Sequence, residues 1–431
     1  MVTLIKAAQL ILSLSILVIF HEMGHFAFAR LFKTRVEKFY LFFNPWFSLF
    51  KTKWGETEYG IGWLPLGGYV KISGMIDESM DKEQMKQPPQ PWEFRTKKSW
   101  QRLLIMLGGV LVNFVLAFLI YTMILTVWGR SYIANEKLEY GVYVDSLAKE
   151  FGLREGDKIV SLDGEKLVEF RKFAKKLILD NTKVIKVERD GQLVDVILPA
   201  DVEEKIINHK KALILPRRPF IISGFIEGSP AELSDLKVGD RIVGIDSTKT
   251  EFFDNFVPVI KKYAGKEVGL KVLRGDKEIT VKIDVAKDST IGAYNNYAIE
   301  TLEYNFFEAI PASFPLGYEL ITDQLKQLRL LPSNMEHVGG FGAIGGIFPA
   351  TWDWEQFWVL TAMLSIMLAV LNLLPIPALD GGHVMFLLYE MVSGRKPSEK
   401  FLERATTVGM ILLLALLVYA NGNDIFKLIF K

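Results

Sequence analysis

The sequence contains no cysteine in its 431 residues. A disulfide framework is therefore excluded, and so is any metal site built on thiolates, which leaves histidines and carboxylates as the side chains that could bind zinc. Histidine is also scarce, with 5 copies, and the formal net charge is only +1. This charge balance gives no reason to expect a nucleic-acid partner.

Long hydrophobic segments are the main feature of the sequence. Half of the residues are hydrophobic although 23% are charged, a mixture that indicates membrane spans alternating with charged soluble segments. A helix of about 20 apolar residues crosses a bilayer, and we predict spans over residues 4–32, 103–128, 357–377 and 405–420. The first resembles a signal peptide, but it has no convincing small-residue cleavage site, so we interpret it as a retained span.

Basic residues predict how the chain crosses the membrane, because cytoplasmic loops are enriched in Lys and Arg. They cluster between the first and second spans and again between the third and fourth. They are Arg30, Lys33, Arg35, Lys38, Lys97, Lys98 and Arg102, and then Arg395, Lys396, Lys400 and Arg404. We therefore expect both loops to be cytoplasmic, the long segment 130–355 to lie outside, and the lipid bilayer to surround the spans.

The first span is interrupted by His21-Glu22-Met23-Gly24-His25. Ionisable side chains at membrane depth cost about 2.5–3.5 kcal/mol each on insertion scales, so they persist mainly where they have chemistry or partners. A helix places residues i and i+4 on one face, so His21 and His25 can bind one zinc ion, and Glu22 can act as general base on a water that the zinc activates. The alternative is a set of polar residues that only face a helix bundle.

A catalytic zinc site usually has three protein ligands, so a third must come from elsewhere. The third span ends in NLLPIPALDGGH, where Pro375 and Pro377 break the helix. Such irregular backbone is tolerated at membrane depth only when it is buried in protein or lines a wet cavity. Asp380 follows this break and is the best candidate, although it could instead cap the helix that begins at Gly381.

Two other polar residues of this segment allow several interpretations. Asn372 could hydrogen-bond the backbone of a substrate, or it could satisfy carbonyl groups that the prolines leave free. His383 could be a metal ligand, support one, or be a solvated or structural side chain. The remaining histidines, His209 and His337, lie in the outer segment and receive no catalytic role.

The outer segment contains an internal repeat. Eight residues spread over 146–163 recur at an offset of 83, and three more recur at an offset of 85, which predicts two tandem β-rich modules. The first copy has Ser146, Ala148, Leu153, Gly156, Asp157, Ile159, Val160 and Asp163, and the second has Ser229, Ala231, Leu236, Gly239, Asp240, Ile242, Val243 and Asp246. We also predict β-structure over 58–73, an exposed polar loop over 77–91 and an interfacial helix over 304–331.

These motifs together resemble the site-2 protease family. The resemblance rests on HEMGH, GGYVKI, NLLPIPALDGGH and two SxAxxxxLxxGDxIVxxD repeats, which look like PDZ domains and are similar to those of the regulator-of-sigma-E type of this family. It extends over essentially the whole chain. It implies intramembrane zinc proteolysis with Zn²⁺ held by His21, His25 and Asp380 and with Glu22 as the catalytic base.

The resemblance also implies how substrate is bound. The residues it assigns to this task are Asn372, Gly67, Gly68, Tyr69, Pro375 and Pro377, and the β-region near 58–73 would receive the substrate as an added strand. The implied substrates are single-span membrane proteins such as anti-sigma factors, together with signal-peptide remnants. The implied location is the bacterial inner membrane, with periplasmic PDZ-like domains and an active site toward the cytoplasmic side. In the second span, 109–113 reads GVLVN, with valine where the family often has proline.

The predicted fold is a multi-domain membrane protein, in which an α-helical bundle of four spans is joined to a membrane-associated β-region and two extracytoplasmic β-rich PDZ-like domains. The predicted segments are 1–34 (first span), 35–100 (cytoplasmic loop with the β-region), 101–129 (second span), 130–217 and 218–303 (the PDZ-like domains), 304–355 (interfacial helix and return loop), 356–392 (third span) and 393–431 (fourth span). Two rival functions are a non-catalytic scaffold that binds peptides through the PDZ-like domains and a transporter or metal channel.

Overall fold

The computed structural model describes residues 1–65, 67–75, 87–209, 211–296 and 299–430. Much of the polar loop predicted over 77–91 therefore lies outside the described residues. The chain forms two compact units, one made of Met1–Gly129 with Glu303–Lys431 and the other of Arg130–Leu302.

Helices occur in both units. In chain order they are α1 (Val2–Leu31), α2 (Ser99–Val127), α3 (Ser146–Glu150), α4 (Phe173–Leu179), α5 (Val202–Asn208), α6 (Phe253–Ile260), α7 (Phe306–Leu330), α8 (Phe341–Ile347), α9 (Trp354–Asn372), α10 (Asp380–Ser393) and α11 (Glu399–Phe430).

Strands fall into a group in the first unit and a larger group in the second. The first group is β1 (Val36–Leu41), β2 (Phe43–Trp54), β3 (Thr57–Leu64) and β4 (Tyr69–Ile72). The second group is β5 (Arg130–Tyr132), β6 (Val142–Val144), β7 (Lys158–Leu162), β8 (Glu165–Lys166), β9 (Val184–Arg189), β10 (Gln192–Ile197), β11 (Ile214–Pro216), β12 (Phe220–Ile221), β13 (Gly224–Phe225), β14 (Arg241–Ile245), β15 (Thr248–Lys249), β16 (Glu267–Arg274), β17 (Lys277–Asp284), β18 (Ala293–Tyr294) and β19 (Glu300–Leu302).

Among the described residues, four helices are long and apolar enough to cross a membrane: α1, α2, α9 and α11. This agrees with the predicted membrane protein. The fourth helix is longer than the segment 405–420 expected from hydropathy. Polar side chains near its C-terminal end form hydrogen bonds with the backbone of residues 338–343, so the helix continues past the apolar segment. The Asp424 carboxylate accepts hydrogen bonds from the Gly340 N–H at 3.0 Å and the Ala343 N–H at 2.9 Å, and Asn423 donates to the Val338 carbonyl at 2.7 Å.

Close helix contacts assemble the bundle around α2. A Cβ atom on Gly108 would lie 2.6 Å from the Gly24 carbonyl oxygen, so the backbones of α1 and α2 are in direct contact. Small residues permit this kind of approach in membrane helices. Polar side chains add links between helices, since Ser365 of α9 donates to the Asn113 carbonyl of α2 at 2.8 Å. The α1 face that carries the histidines is consequently pressed against α2.

The polypeptide turns sharply between α9 and α10. Pro375 and Pro377 lie in this turn, and Ala378 adopts a left-handed φ of 87°. The helix break predicted from the prolines is therefore present. A buried ion pair then fixes α10 on α2, where Arg102 donates to Glu390 Oε1 at 2.5 Å and both side chains are at most 10% exposed.

A small mixed sheet follows α1, with strand order β2-β3-β1-β4. It begins at Val36 and is thus larger than the β-structure predicted over 58–73. In the described part of the chain, β4 is an edge strand that pairs with β1 alone. The opposite edge, β2, carries aromatic side chains that are more than half exposed, namely Trp46, Phe47, Phe50 and Trp54. Exposed apolar groups of this extent mark an interaction surface, which fits the predicted association with the membrane.

The second unit contains two similarly built halves. The order β10-β9-β7-β8 of the first half recurs in the second as β17-β16-β14 with β15 beside β14, and β6–β11 has its counterpart in β13–β18. Each half has its own apolar core. The same ion pair also recurs, because Arg189 donates two hydrogen bonds to Asp157 as Arg274 does to Asp240.

This recurrent pair predicts a pH dependence for the second half. Hydrogen bonds from Arg274 hold the pKa of the buried Asp240 below its usual value. A carboxyl whose folded pKa is lowered stabilises the fold above its unfolded pKa of about 3.9 and loses that contribution as the pH falls through the folded value. We expect the protection of β16 against hydrogen exchange, corrected for intrinsic rates, to fall below about pH 4. Asp240→Asn should flatten this dependence.

The control for this measurement is Asp284→Asn, at an exposed position of the same half, which should keep the parental pH dependence. An Asp240→Asn protein whose protection falls with pH as steeply as that of the parent would contradict this interpretation.

Candidate metal centre

Two histidine side chains of helix α1 converge on the same position. His21 and His25 lie one turn apart, are 8% and 7% exposed, and have their Nε2 atoms 3.2 Å apart. The Asp380 Oδ2 atom, at the start of α10, lies 3.2 Å from His21 Nε2 and 3.3 Å from His25 Nε2. Within the described ranges, these three residues are the group whose ligand atoms converge closely enough to hold a metal ion.

The geometry of this group fits zinc. Zinc bonds of about 2.0–2.1 Å in a tetrahedral site separate ligand atoms by about 3.3 Å, which matches the spacings between these three atoms. Asp380 Oδ2 is buried, and among the described residues its close polar neighbours are the two imidazole nitrogens, so a cation shared by the three atoms fits this arrangement. Capping, the other interpretation of Asp380, is not observed, because Leu379 is the N-cap of α10 and no side chain caps it.

Helix α2 contacts the Nδ1 atoms of both imidazoles, on the side of each ring away from Asp380. His25 Nδ1 lies 2.8 Å from the Ile105 carbonyl oxygen, which can accept its proton and leave Nε2 free for a metal. His21 Nδ1 lies 3.3 Å from the amide nitrogen of Asn113, whose buried Oδ1 has no hydrogen-bond partner among the residues that the structure describes. Turning this amide by 180° would place the oxygen where it accepts the His21 proton. A Cβ atom on Gly109 would lie 2.5 Å from His25 Nε2, so glycine is needed there.

Asn113 received no role from the sequence. Two signals were present: a polar amide within a span that carries no charged residue, and its position at the end of GVLVN, a segment that resembles a family motif. Neither signal shows the direction of the amide, which in the structure is toward His21.

A cavity of about 540 Å³ opens beside the three ligand atoms. Glu22 lines it, and its carboxylate interacts with the backbone N–H of Val70 in β4. Asn372 also lines the cavity, with its Nδ2 atom 3.3 Å from His21 Nε2. His383 lines the cavity without belonging to the converging group.

The residues predicted to bind substrate divide into two sets. Gly67, Gly68 and Tyr69 lie along the cavity, together with the rest of β4, whereas Pro375 and Pro377 lie in the turn between α9 and α10 and do not line it. The prolines thus shape the backbone that presents Asp380. Burial raises the pKa of Tyr69 to about 12, and its phenol donates a hydrogen bond to Asn44 Oδ1 at 2.9 Å.

Loss of the amide behind His21 should weaken metal binding. Outer partners of metal-bound histidines typically contribute 10–100-fold to metal affinity. We therefore expect Asn113→Leu, which removes the hydrogen-bonding group at similar size, to lower zinc affinity about 10–100-fold in competition with a chelator. Asn113→Asp keeps an acceptor for the His21 proton and should bind zinc nearly as tightly as the parent. Equal zinc affinity of the Leu variant and the parent would show that Asn113 does not support His21.

Comparisons with known proteins place this arrangement among peptidases. The family model described as peptidase family M50 matches residues 9–416. The regulator of sigma E protease of Haemophilus influenzae is 28% identical over 97% of this chain and 98% of its own length. Proteins of Campylobacter jejuni and Thermotoga maritima that are named as zinc metalloproteases are 26% and 27% identical, over 97% and 96% of this chain and over 93% and 98% of their own lengths.

Proposed function

The chain belongs to peptidase family M50 and is a zinc metalloprotease, and from this premise we propose that it cleaves the membrane-spanning segments of single-span proteins inside the bilayer. The observation that carries the proposal is the convergence of His21, His25 and Asp380 on helices of an apolar bundle. A peptidase centre built there reaches substrates that lie within the membrane.

We assign a role to each residue of this centre. His21, His25 and Asp380 would hold a zinc ion, which would supply a Lewis acid able to activate water and to polarise the scissile carbonyl group. Glu22 takes the proton of the attacking water and returns it to the leaving amine. The position of Glu22 in the cavity wall, one residue from His21, supports this role. Asn372 lies on the same wall and hydrogen-bonds the substrate backbone.

The substrate enters as an extended strand. A membrane-spanning helix uses its carbonyl groups in its own hydrogen bonds, so it must unwind before a peptide bond can be attacked. Strand β4 lines the cavity, and among the described residues it pairs with β1 alone, so an added strand can pair along its other edge. Gly67, Gly68 and Tyr69 then lie beside the bound segment.

The natural substrates that we propose are membrane-anchored regulators of the anti-sigma type, together with signal-peptide remnants. The name of the Haemophilus influenzae relative, regulator of sigma E protease, supports the first class. We propose a location in a bacterial inner membrane with the centre toward the cytoplasm and Arg130–Leu302 in the periplasm, and the basic loops support this orientation. The two halves of that unit act as PDZ-like peptide-binding domains.

A substitution of the proposed base tests the chemistry directly. General-base catalysis typically contributes 10²–10⁴-fold. We expect Glu22→Gln to lower the cleavage rate of a co-reconstituted single-span protein by at least 10²-fold while zinc content stays at the parental level. A Glu22→Gln protein that still cleaves at the parental rate would overturn the proposed mechanism. If the parent binds no zinc and cleaves no membrane protein, the rival function of a peptide-binding scaffold is favoured.

Strand addition at β4 can be mapped by cross-linking, because the chain has no cysteine of its own. We expect Lys71→Cys, on β4, to form disulfides with a series of single-cysteine substrates at every second position, since side chains alternate along a strand. The control is Lys51→Cys on the opposite edge strand, β2, which should give no such pattern. Cross-links spaced three to four residues apart would instead show that the substrate binds as a helix.

A further inference from the structure

The last helix, α11, contacts the rest of its unit at few positions. Within Glu399–Phe430, its buried residues are Thr406, Gly409 and Ala420. At Gly409, a Cβ atom would overlap the Pro377 carbonyl oxygen, so only glycine allows this approach. Since residues i and i+3 share a helix face, Thr406 is directed toward the same segment, which leads from Pro377 to Asp380.

Thr406 lines the cavity beside the metal-binding residues. Its side chain is 2% exposed, and its Oγ1 atom makes no hydrogen bond to any described residue. A threonine in a helix usually satisfies its hydroxyl group with the carbonyl four residues earlier, as Thr407 does with Glu403 at 2.8 Å. The neighbouring threonine therefore shows that this local solution is available on α11 and that Thr406 does not use it.

A buried hydroxyl group without a partner lowers stability. Each buried polar group without a partner in a folded protein needs an explanation, and Thr406 differs from Thr34 and Thr250, whose hydroxyl groups also have no partner among the described residues, in that it lines the cavity. Thr406 belongs to the lining of a cavity whose other walls carry Glu22, Asn372 and β4, while its Oγ1 atom itself is buried. The missing partner is therefore to be sought in whatever occupies this cavity.

We propose that Thr406 is a substrate-binding residue that donates a hydrogen bond to a backbone carbonyl of the substrate, an inference that rests on the proposed function. A substrate strand that pairs with β4 satisfies the backbone groups on one of its edges only. The groups on its other edge are buried in the membrane, away from water, and each needs a partner from the cavity wall. Thr406 provides such a partner together with Asn372.

The test compares Thr406→Val with Thr406→Ser and with the matched control Thr407→Val, all in the full-length zinc-loaded protein reconstituted with a single-span substrate. Valine keeps the shape of threonine and removes its hydroxyl group. A net contribution typical of one hydrogen bond corresponds to about a threefold to tenfold loss of kcat/KM. We expect this loss for Thr406→Val, mainly as a higher KM, because the contact is present before the reaction as well as during it.

Stability separates substrate binding from a structural role. Because Thr406→Val removes an unpartnered buried hydroxyl group, its Tm and zinc content should equal or exceed those of the parent while activity falls. Thr406→Ser should restore kcat/KM to within about twofold of the parent, and Thr407→Val should cleave normally. Parental kcat/KM in Thr406→Val, or a loss of Tm or zinc along with activity, would overturn the inference. If the Glu22→Gln protein cleaves as the parent does, the proposed function fails instead.

Discussion

The structure depends on enclosing charged and polar ligands within an apolar helix bundle. Two imidazoles and two carboxylates at membrane depth are costly unless protein groups surround and pair them. Glycines make that enclosure possible here, because Gly24 and Gly108 bring α1 and α2 into backbone contact and Gly109 leaves room for both imidazole rings. Side chains in place of these glycines would push the helices apart and open the site to lipid.

The break between α9 and α10 completes the site from the other side. Its prolines and the left-handed Ala378 reverse the chain and bring Asp380 to within 3.3 Å of both imidazoles. The Arg102–Glu390 pair fixes α10 on α2, and Gly409 fixes α11 on the turn. The irregular turn before α10 and the close packing of α10 and α11 therefore bring Asp380 to the two histidines of α1, although these residues are far apart in the sequence.

Much of this arrangement could be predicted from residue types and spacing. The i, i+4 histidines, the glutamate beside them and the aspartate after the prolines carry chemistry that is difficult to explain otherwise in apolar segments. The repeat in the outer segment also predicted two similar halves. What the sequence could not show depends on orientation and distant contacts: the amide of Asn113 behind His21, the unpartnered hydroxyl group of Thr406, and the extension of α11 to Phe430, which its bonds to Val338, Gly340 and Ala343 permit.

The central claim is that one zinc ion is held by His21, His25 and Asp380. Zinc-edge X-ray absorption spectroscopy of the purified protein tests it most directly, because the spectrum reports the number and kind of ligand atoms. The account predicts one zinc per chain with nitrogen and oxygen ligands at about 2.0–2.1 Å, two of them imidazoles, and loss of this signal in Asp380→Ala. A protein that retains no stoichiometric zinc, or whose zinc has no imidazole ligands, would contradict it.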